Sequence, residues 1–159
     1  MVCRNRDGGR AAVAFVTRCI LALCLLAARS YGAEQDDVVS VVERTFLAMK
    51  ARDAGALKAT MLPEARLYSE RSGEVASRTL DQFVSQIVAS KVELVERFTS
   101  KPQVMIRGNM AQVWGEYEFL RDGKFSHCGV DTVLLFKTTD GWRIATLSYT
   151  VEPTGCKGQ

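Results

Sequence analysis

The hydrophobic period of this chain changes at Val92. Before it, apolar residues recur at helical spacing, first Val38, Val42, Phe46 and Met49, then Leu80, Phe83, Val84, Ile87 and Val88. After it, apolar and polar residues alternate, as they do along half-buried strands. Asp122-Gly123 and Asp140-Gly141 interrupt the alternation with dipeptides that tolerate positive φ, the signature of tight hairpins. Helices followed by hairpin-linked strands pack as helices on one face of a sheet, so the expected class is α+β.

Local signals refine the helical half. Ser40-x-x-Glu43, or the acids before it, offers a cap for the first helix. Asp53 restarts the pattern for a short second helix through Leu57 and Met61, which Pro63 closes. A short strand is expected over 64–69. Thr79-Leu-Asp-Gln82 is a capping box ahead of the amphipathic helix from Leu80. Strands are then expected near 92–98, 103–107, 110–120, 124–137 and 142–151 as an antiparallel meander, the first two either separate or one bent strand.

Closing the first hairpin at Asp122-Gly123 pairs Arg121 with Lys124, Glu118 with His127 and Trp114 with Asp131. One face then carries Trp114, Glu118, His127, Asp131 and Ser148, and the other Tyr117, Phe119, Cys128 and Tyr149. Both faces hold too much apolar surface for one simply to meet water. One is expected to cover the helices and the other to meet a second copy of the chain.

Residues 1–33 have a different character. Five arginines (Arg4, Arg6, Arg10, Arg18 and Arg29) stand against one acid, Asp7, and a ten-residue apolar run follows Arg18, from Cys19 to Ala28. Small residues Ser30, Gly32 and Ala33 close it. This is the layout of a cleaved secretory signal, the alternative being an uncleaved N-terminal anchor, and the run is shorter than the roughly 20 residues of a membrane span. The expected organisation is therefore a leader over 1–33 and one domain over 34–159, secreted or periplasmic, with no membrane span after cleavage.

Of 21 basic and 18 acidic residues, 16 and 17 remain after the leader, so the basic charge of the whole chain belongs to the leader. A near-neutral domain gives no support to nucleic-acid binding. Three of the five cysteines leave with the leader. Cys128 and Cys156 remain, either bridged, as suits an exported protein, or as two free thiols. The register places Cys128 beside about Val151, from which Cys156 can bend back, so a bridge would pin the C-terminal tail.

The order of elements and three strings resemble the NTF2-like superfamily of cone-shaped α+β domains. The strings are Val41-Val-Glu-Arg-Thr-Phe-Leu-Ala-Met-Lys-Ala-Arg-Asp53, Ser126-His-Cys-Gly-Val-Asp131 and Asp140-Gly-Trp-Arg-Ile144. Within it, the chain looks closest to secreted lumazine-binding-like proteins. The resemblance implies N-terminal helices packed on a curved antiparallel sheet, with a pocket inside the cone. Ketosteroid isomerases share this fold. Asp131 matches their oxyanion-donating strand acid, but Thr45 stands where they have a tyrosine and Ser69 where they have the general base. Steroid isomerisation is thereby disfavoured, and the Asp131 face is implied to be the concave one.

The candidate ligand-binding residues are His127, Asp131, Trp114, Glu118, Ser148 and Tyr68. His127 is the only histidine, which excludes histidine-rich metal sites, and no metal or cofactor motif occurs. Glu118 is expected to orient His127 and raise its pKa, the alternative being an ion pair at the sheet edge. Asp131 is either a pocket acid or hydrogen-bonded to Ser148. His127 and Asp131 lie roughly 13 Å apart along a strand, too far for a direct dyad. Trp114 offers a stacking platform or core packing, and Tyr68 either rims the pocket or is exposed. No nucleophile–base pair is assembled. The expected function is a homodimeric pocket protein for a small molecule, with acid–base enzyme and structural domain as the alternatives.

Overall fold

The computed structural model describes residues 32–156, and the chain from Gln35 onward forms one compact unit. Helix α1 covers 32–51 and buries Val38, Val41, Val42, Thr45, Phe46 and Met49 along one stripe. It extends N-terminally past Ser40, whose hydroxyl donates to the Asp37 carbonyl at 2.7 Å instead of capping. Arg52, at φ 55°, turns the chain out of the helix, with its amide donating to the Met49 carbonyl. Helix α2 (Ala54–Thr60) starts at Asp53, whose carboxylate accepts from the Ala56 amide at 2.9 Å. Helix α3 (Leu80–Ala89) opens with the reciprocal Thr79–Gln82 capping box expected from the sequence.

Seven strands follow or interleave: β1 (Met61–Arg71), β2 (Glu74–Thr79), β3 (Leu94–Phe98), β4 (Gln103–Arg107), β5 (Met110–Arg121), β6 (Lys124–Thr138) and β7 (Gly141–Thr150). They form one curved sheet in the order β2-β1-β7-β6-β5-β3, with β4 also on β5. Strands β3 and β4 are separate and share one edge of β5, divided by the segment that holds Pro102.

Four features depart from the sequence reading. Strand β1 begins at Met61 and runs through Pro63, whose missing N–H costs little because β2 pairs only from Arg66 onward and the ladder with β7 is interrupted between Met61 and Arg66. Strand β2 was not expected: its residues are largely exposed and carry no clean alternation. The sheet is not a pure meander, because β1 pairs parallel with β7; hairpin signals report only strands adjacent in sequence. The fourth departure concerns the faces. Leu120 pairs with Phe125 but Phe119 with His127, leaving Ser126 as an extra residue in β6. Leu135 pairs with Ile144 but Leu134 with Thr146, leaving Ala145 extra in β7. Each bulge adds one residue and so reverses which side chains share a face.

The inner face therefore carries Val113, Tyr117 and Phe119 from β5, His127, Asp131, Val133 and Leu135 from β6, and Ile144, Leu147 and Tyr149 from β7. Met105, Met110, Trp114 and Phe136 lie exposed on the outer face. A disulfide joins Cys128 to Cys156, and Cys128 also pairs with Glu152 through two backbone hydrogen bonds of 2.8 and 3.0 Å. Among the described residues, no helix is long and apolar enough to cross a membrane.

Candidate functional site

The curved sheet and the helices enclose a cavity of about 750 Å³, partly open to solvent. Its apolar wall includes Phe46 and Met49 from α1, Phe83 and Ile87 from α3, and Phe119 and Leu147 from the sheet. Polar groups enter from Ser69, Arg71, Arg78, Lys91, Glu96, Tyr117, Arg121, His127 and Tyr149. A few convergent polar groups in an apolar concavity are the usual make-up of a small-molecule site.

His127 is the one sequence-predicted residue that lines this cavity. Its ring stacks on Phe119 at 4.8 Å between centroids and meets Tyr117 edge-on at 5.9 Å. Burial, then the nearby Arg71 and Arg121 cations, lower its pKa to about 4, so the imidazole is neutral at physiological pH. Glu118 takes no part: it lies opposite Cys128, on the outer side of the strand, in an ion pair with Arg97. The expectation that Glu118 raises the His127 pKa is corrected by the Ser126 bulge.

Asp131 is also on the inner face, fully buried just behind the cavity wall. Its strand partners are Gly115 and Tyr149, and Tyr149 in turn pairs with Ser69. Ser148 instead lies opposite Thr132, which removes the expected Asp131–Ser148 hydrogen bond. Trp114, 47% exposed, pairs with Gln103 and Thr132 on the outer face, and Tyr68 is outward on β1. The structure thus brings His127 and Asp131 to the concave side and puts Trp114, Glu118, Ser148 and Tyr68 on the other. Thr45 reaches the cavity, but its hydroxyl lies 3.0 Å from the Val41 carbonyl and 2.8 Å from the Thr60 hydroxyl.

Glu96 is the acid that the sequence reading missed. It pairs with Phe119 and so shares the inner face, where it lines the cavity and interacts with Asp131. Neither Asp131 oxygen has a hydrogen-bond partner of ordinary geometry, yet the two carboxyls are close enough to couple. Burial raises Glu96 to about 7, offset in part by its hydrogen-bonding interaction with Asp131. Asp131 is raised well above the usual carboxylate range by burial and then by Glu96. Burial and the surrounding acids and tyrosine also push Tyr117 up, while its hydroxyl donates to the Thr150 carbonyl at 2.7 Å. No local signal marked Glu96, because its partner lies two strands away in the sheet.

This carboxyl pair has a pH consequence. Both groups hold protons in the folded state that the unfolded chain releases, so their contribution to stability is full at low pH. It is lost as pH rises from 4.5, the ordinary Glu96 value, through about 7. His127, lowered in the fold, acts in the opposite direction and masks the trend in the wild type. The comparison with Asp131→Asn removes that common term. The variant should gain stability relative to the wild type between pH 5 and pH 8, because it lacks the buried carboxyl whose proton affinity is raised only in the fold. Urea unfolding at the two pH values checks this; parallel changes in both proteins would contradict the coupled pair.

Residues 33–150 match the family described as "Putative lumazine-binding". Among solved structures, an NTF2-like superfamily protein of Salmonella enterica serovar Typhimurium superposes with a TM-score of 0.64 at 15% identity, covering 81% of this chain and 98% of that one. An NTF2-like protein with a cystatin-like fold from Novosphingobium aromaticivorans gives 0.59 at 18% identity, covering 84% and 90%. A Mycobacterium tuberculosis protein of unknown function gives 0.66 at 14% identity, covering 82% and 81%. At these identities the likeness speaks for the fold. No curated protein sequence matches the chain.

Proposed function

We propose that this chain, which belongs to the lumazine-binding-like family and has an NTF2-like fold, holds a small molecule with a flat apolar or aromatic body inside its cone. The observation that carries the reading is the 750 Å³ cavity, within the range of small-molecule pockets and walled by Phe46, Phe83, Phe119 and Tyr149. His127, neutral and stacked on Phe119, offers a ring face and a nitrogen to the ligand. The protein acts as a binder after export, with residues 1–33 removed. The Cys128–Cys156 disulfide supports an oxidising compartment. Met105, Met110, Trp114 and Phe136 on the outer face support pairing of two copies through the sheet.

A second reading, acid–base catalysis, is favoured by one observation. The Glu96 carboxyl, with a pKa near 7 and Asp131 behind it, lines the cavity and is matched to proton transfer at neutral pH. Turnover abolished by Glu96→Gln would move the assignment there.

Native mass spectrometry of the protein purified from its own host tests the leading reading. The expected mass is two chains lacking about the first 33 residues, each bridged, plus a small molecule released on denaturation. A chain that still carries Met1 defeats the export claim, and a monomer mass defeats the dimer. An empty cavity, together with failure to bind any aromatic probe, defeats the binding function.

A further inference from the structure

The cavity lining has an uneven charge. Arg71 comes from the end of β1, Arg78 from β2, Lys91 from the α3–β3 connection and Arg121 from the end of β5. Four separate elements thus deliver a cation to the lining of one cavity. Among the described residues, none of the four enters an ion pair, whereas Lys50–Glu93, Lys58–Asp81, Arg97–Glu118 and Arg143–Asp140 do.

Two acids beside the cations are held by other groups, while Glu74 stands opposite Arg71 in the β1–β2 pair. Glu70, next to Arg71, accepts from the Gly73 amide at 2.6 Å. Asp122, next to Arg121, accepts from the Glu93 amide at 2.8 Å, and the Glu93 carboxylate faces Lys50 at 3.6 Å. Arg78 makes only long contacts of 3.4 Å with the Ser69 and Tyr149 hydroxyls. Two acids line the cavity: Glu74 at the β1–β2 turn, and Glu96 with its coupled carboxyl inside. Four cations therefore share the cavity lining with two acids, on a domain whose net charge is close to zero.

We propose that this part of the lining is an anion subsite, formed chiefly by Arg71, Arg78 and Arg121 with Lys91, and that the ligand is a small organic anion. Its aromatic or fused-ring body lies against Phe119 and His127, and its carboxylate, sulfonate or phosphate group meets the guanidinium groups. Arginine suits this role because its planar fork binds such oxygens in pairs. The field of the same arginines reaches His127, whose pKa they lower after burial. An anion held between them would relieve that field, so binding should raise the His127 pKa. The inference rests on the cavity being a ligand site.

Two fluorescent probes with one ring skeleton separate the claims. N-phenyl-1-naphthylamine is neutral, and 8-anilinonaphthalene-1-sulfonate carries a sulfonate. Both should bind, and Ala76→Trp, which fills the cavity from its exposed β2 wall, should abolish both. The sulfonate probe should bind about tenfold tighter, a difference of about 1.4 kcal/mol. Arg71→Gln with Arg121→Gln should lower sulfonate affinity about tenfold while the neutral probe changes less than about twofold. Equal affinities that the double variant leaves unchanged would overturn the anion subsite and leave the cavity reading standing. Binding of neither probe, or binding that Ala76→Trp does not affect, would overturn the cavity reading and the subsite with it.

Discussion

Gly129→Ala should destabilise the domain by about 4 kcal/mol, a large effect for a single added methyl group. Gly129 lies between Tyr117, its partner on β5, and the end of β7. A Cβ at this position would overlap the carbonyl oxygen of Thr150, with that residue's side-chain oxygen also in the way. The Thr150 carbonyl accepts from the Tyr117 hydroxyl at 2.7 Å, while the Thr150 hydroxyl accepts from the Val130 amide at 3.0 Å. The overlap is with backbone, so no rotamer change relieves it and β7 must move away from β6. That movement breaks both hydrogen bonds and shifts Val151 in the cavity wall. Urea unfolding read by tyrosine and tryptophan fluorescence gives the number, and a loss below about 1 kcal/mol would contradict the close approach.

Removing the disulfide, by Cys128→Ser with Cys156→Ser, should cost about 3 kcal/mol. The bridge closes a loop with a sequence separation of 28, and constraint of the unfolded chain over such a loop is worth roughly that amount. Its local effect is on the tail. The Cys128–Glu152 backbone bridge and the disulfide together hold Val151 against the cavity. The double variant should therefore also bind N-phenyl-1-naphthylamine more weakly than the bridged protein. Thermal unfolding of the bridged and serine forms checks the first part. A change below about 1 kcal/mol would show that backbone pairing alone secures the tail.

Much of this fold was legible in local residues. The α1 stripe, the Thr79–Gln82 capping box and the Asp122-Gly123 turn act over a few positions, so their spacing alone identifies them. Asp122 and Gly123 do adopt φ of 49° and 71°, as a tight hairpin turn requires. The site was less legible. His127 and Asp131 were placed on the concave face, but Trp114, Glu118 and Ser148 were placed there by a register with no allowance for bulges. One extra residue at Ser126 and one at Ala145 reverse the faces. Nothing in the composition of either segment distinguishes a bulged strand from a regular one. Glu96 and the four cavity cations went unnoticed because each has polar neighbours in sequence and belongs to the site only through strands that meet in space.

The cation excess was traced correctly to residues 1–33, yet the near-neutral remainder concealed a local imbalance, because net charge does not record where charges gather. The Cys128–Cys156 bridge was anticipated from the number of cysteines left and from an approximate register, although the register itself needed correction. The α+β class, the caps and the turns can be read from local residues, because they depend on short-range periodicity and backbone preference. The parallel β1–β7 pairing, the two bulges and the interaction of Glu96 with Asp131 emerge from the packing of distant segments. These depend on which distant segments share one space, and it is burial there that changes a carboxyl's proton affinity.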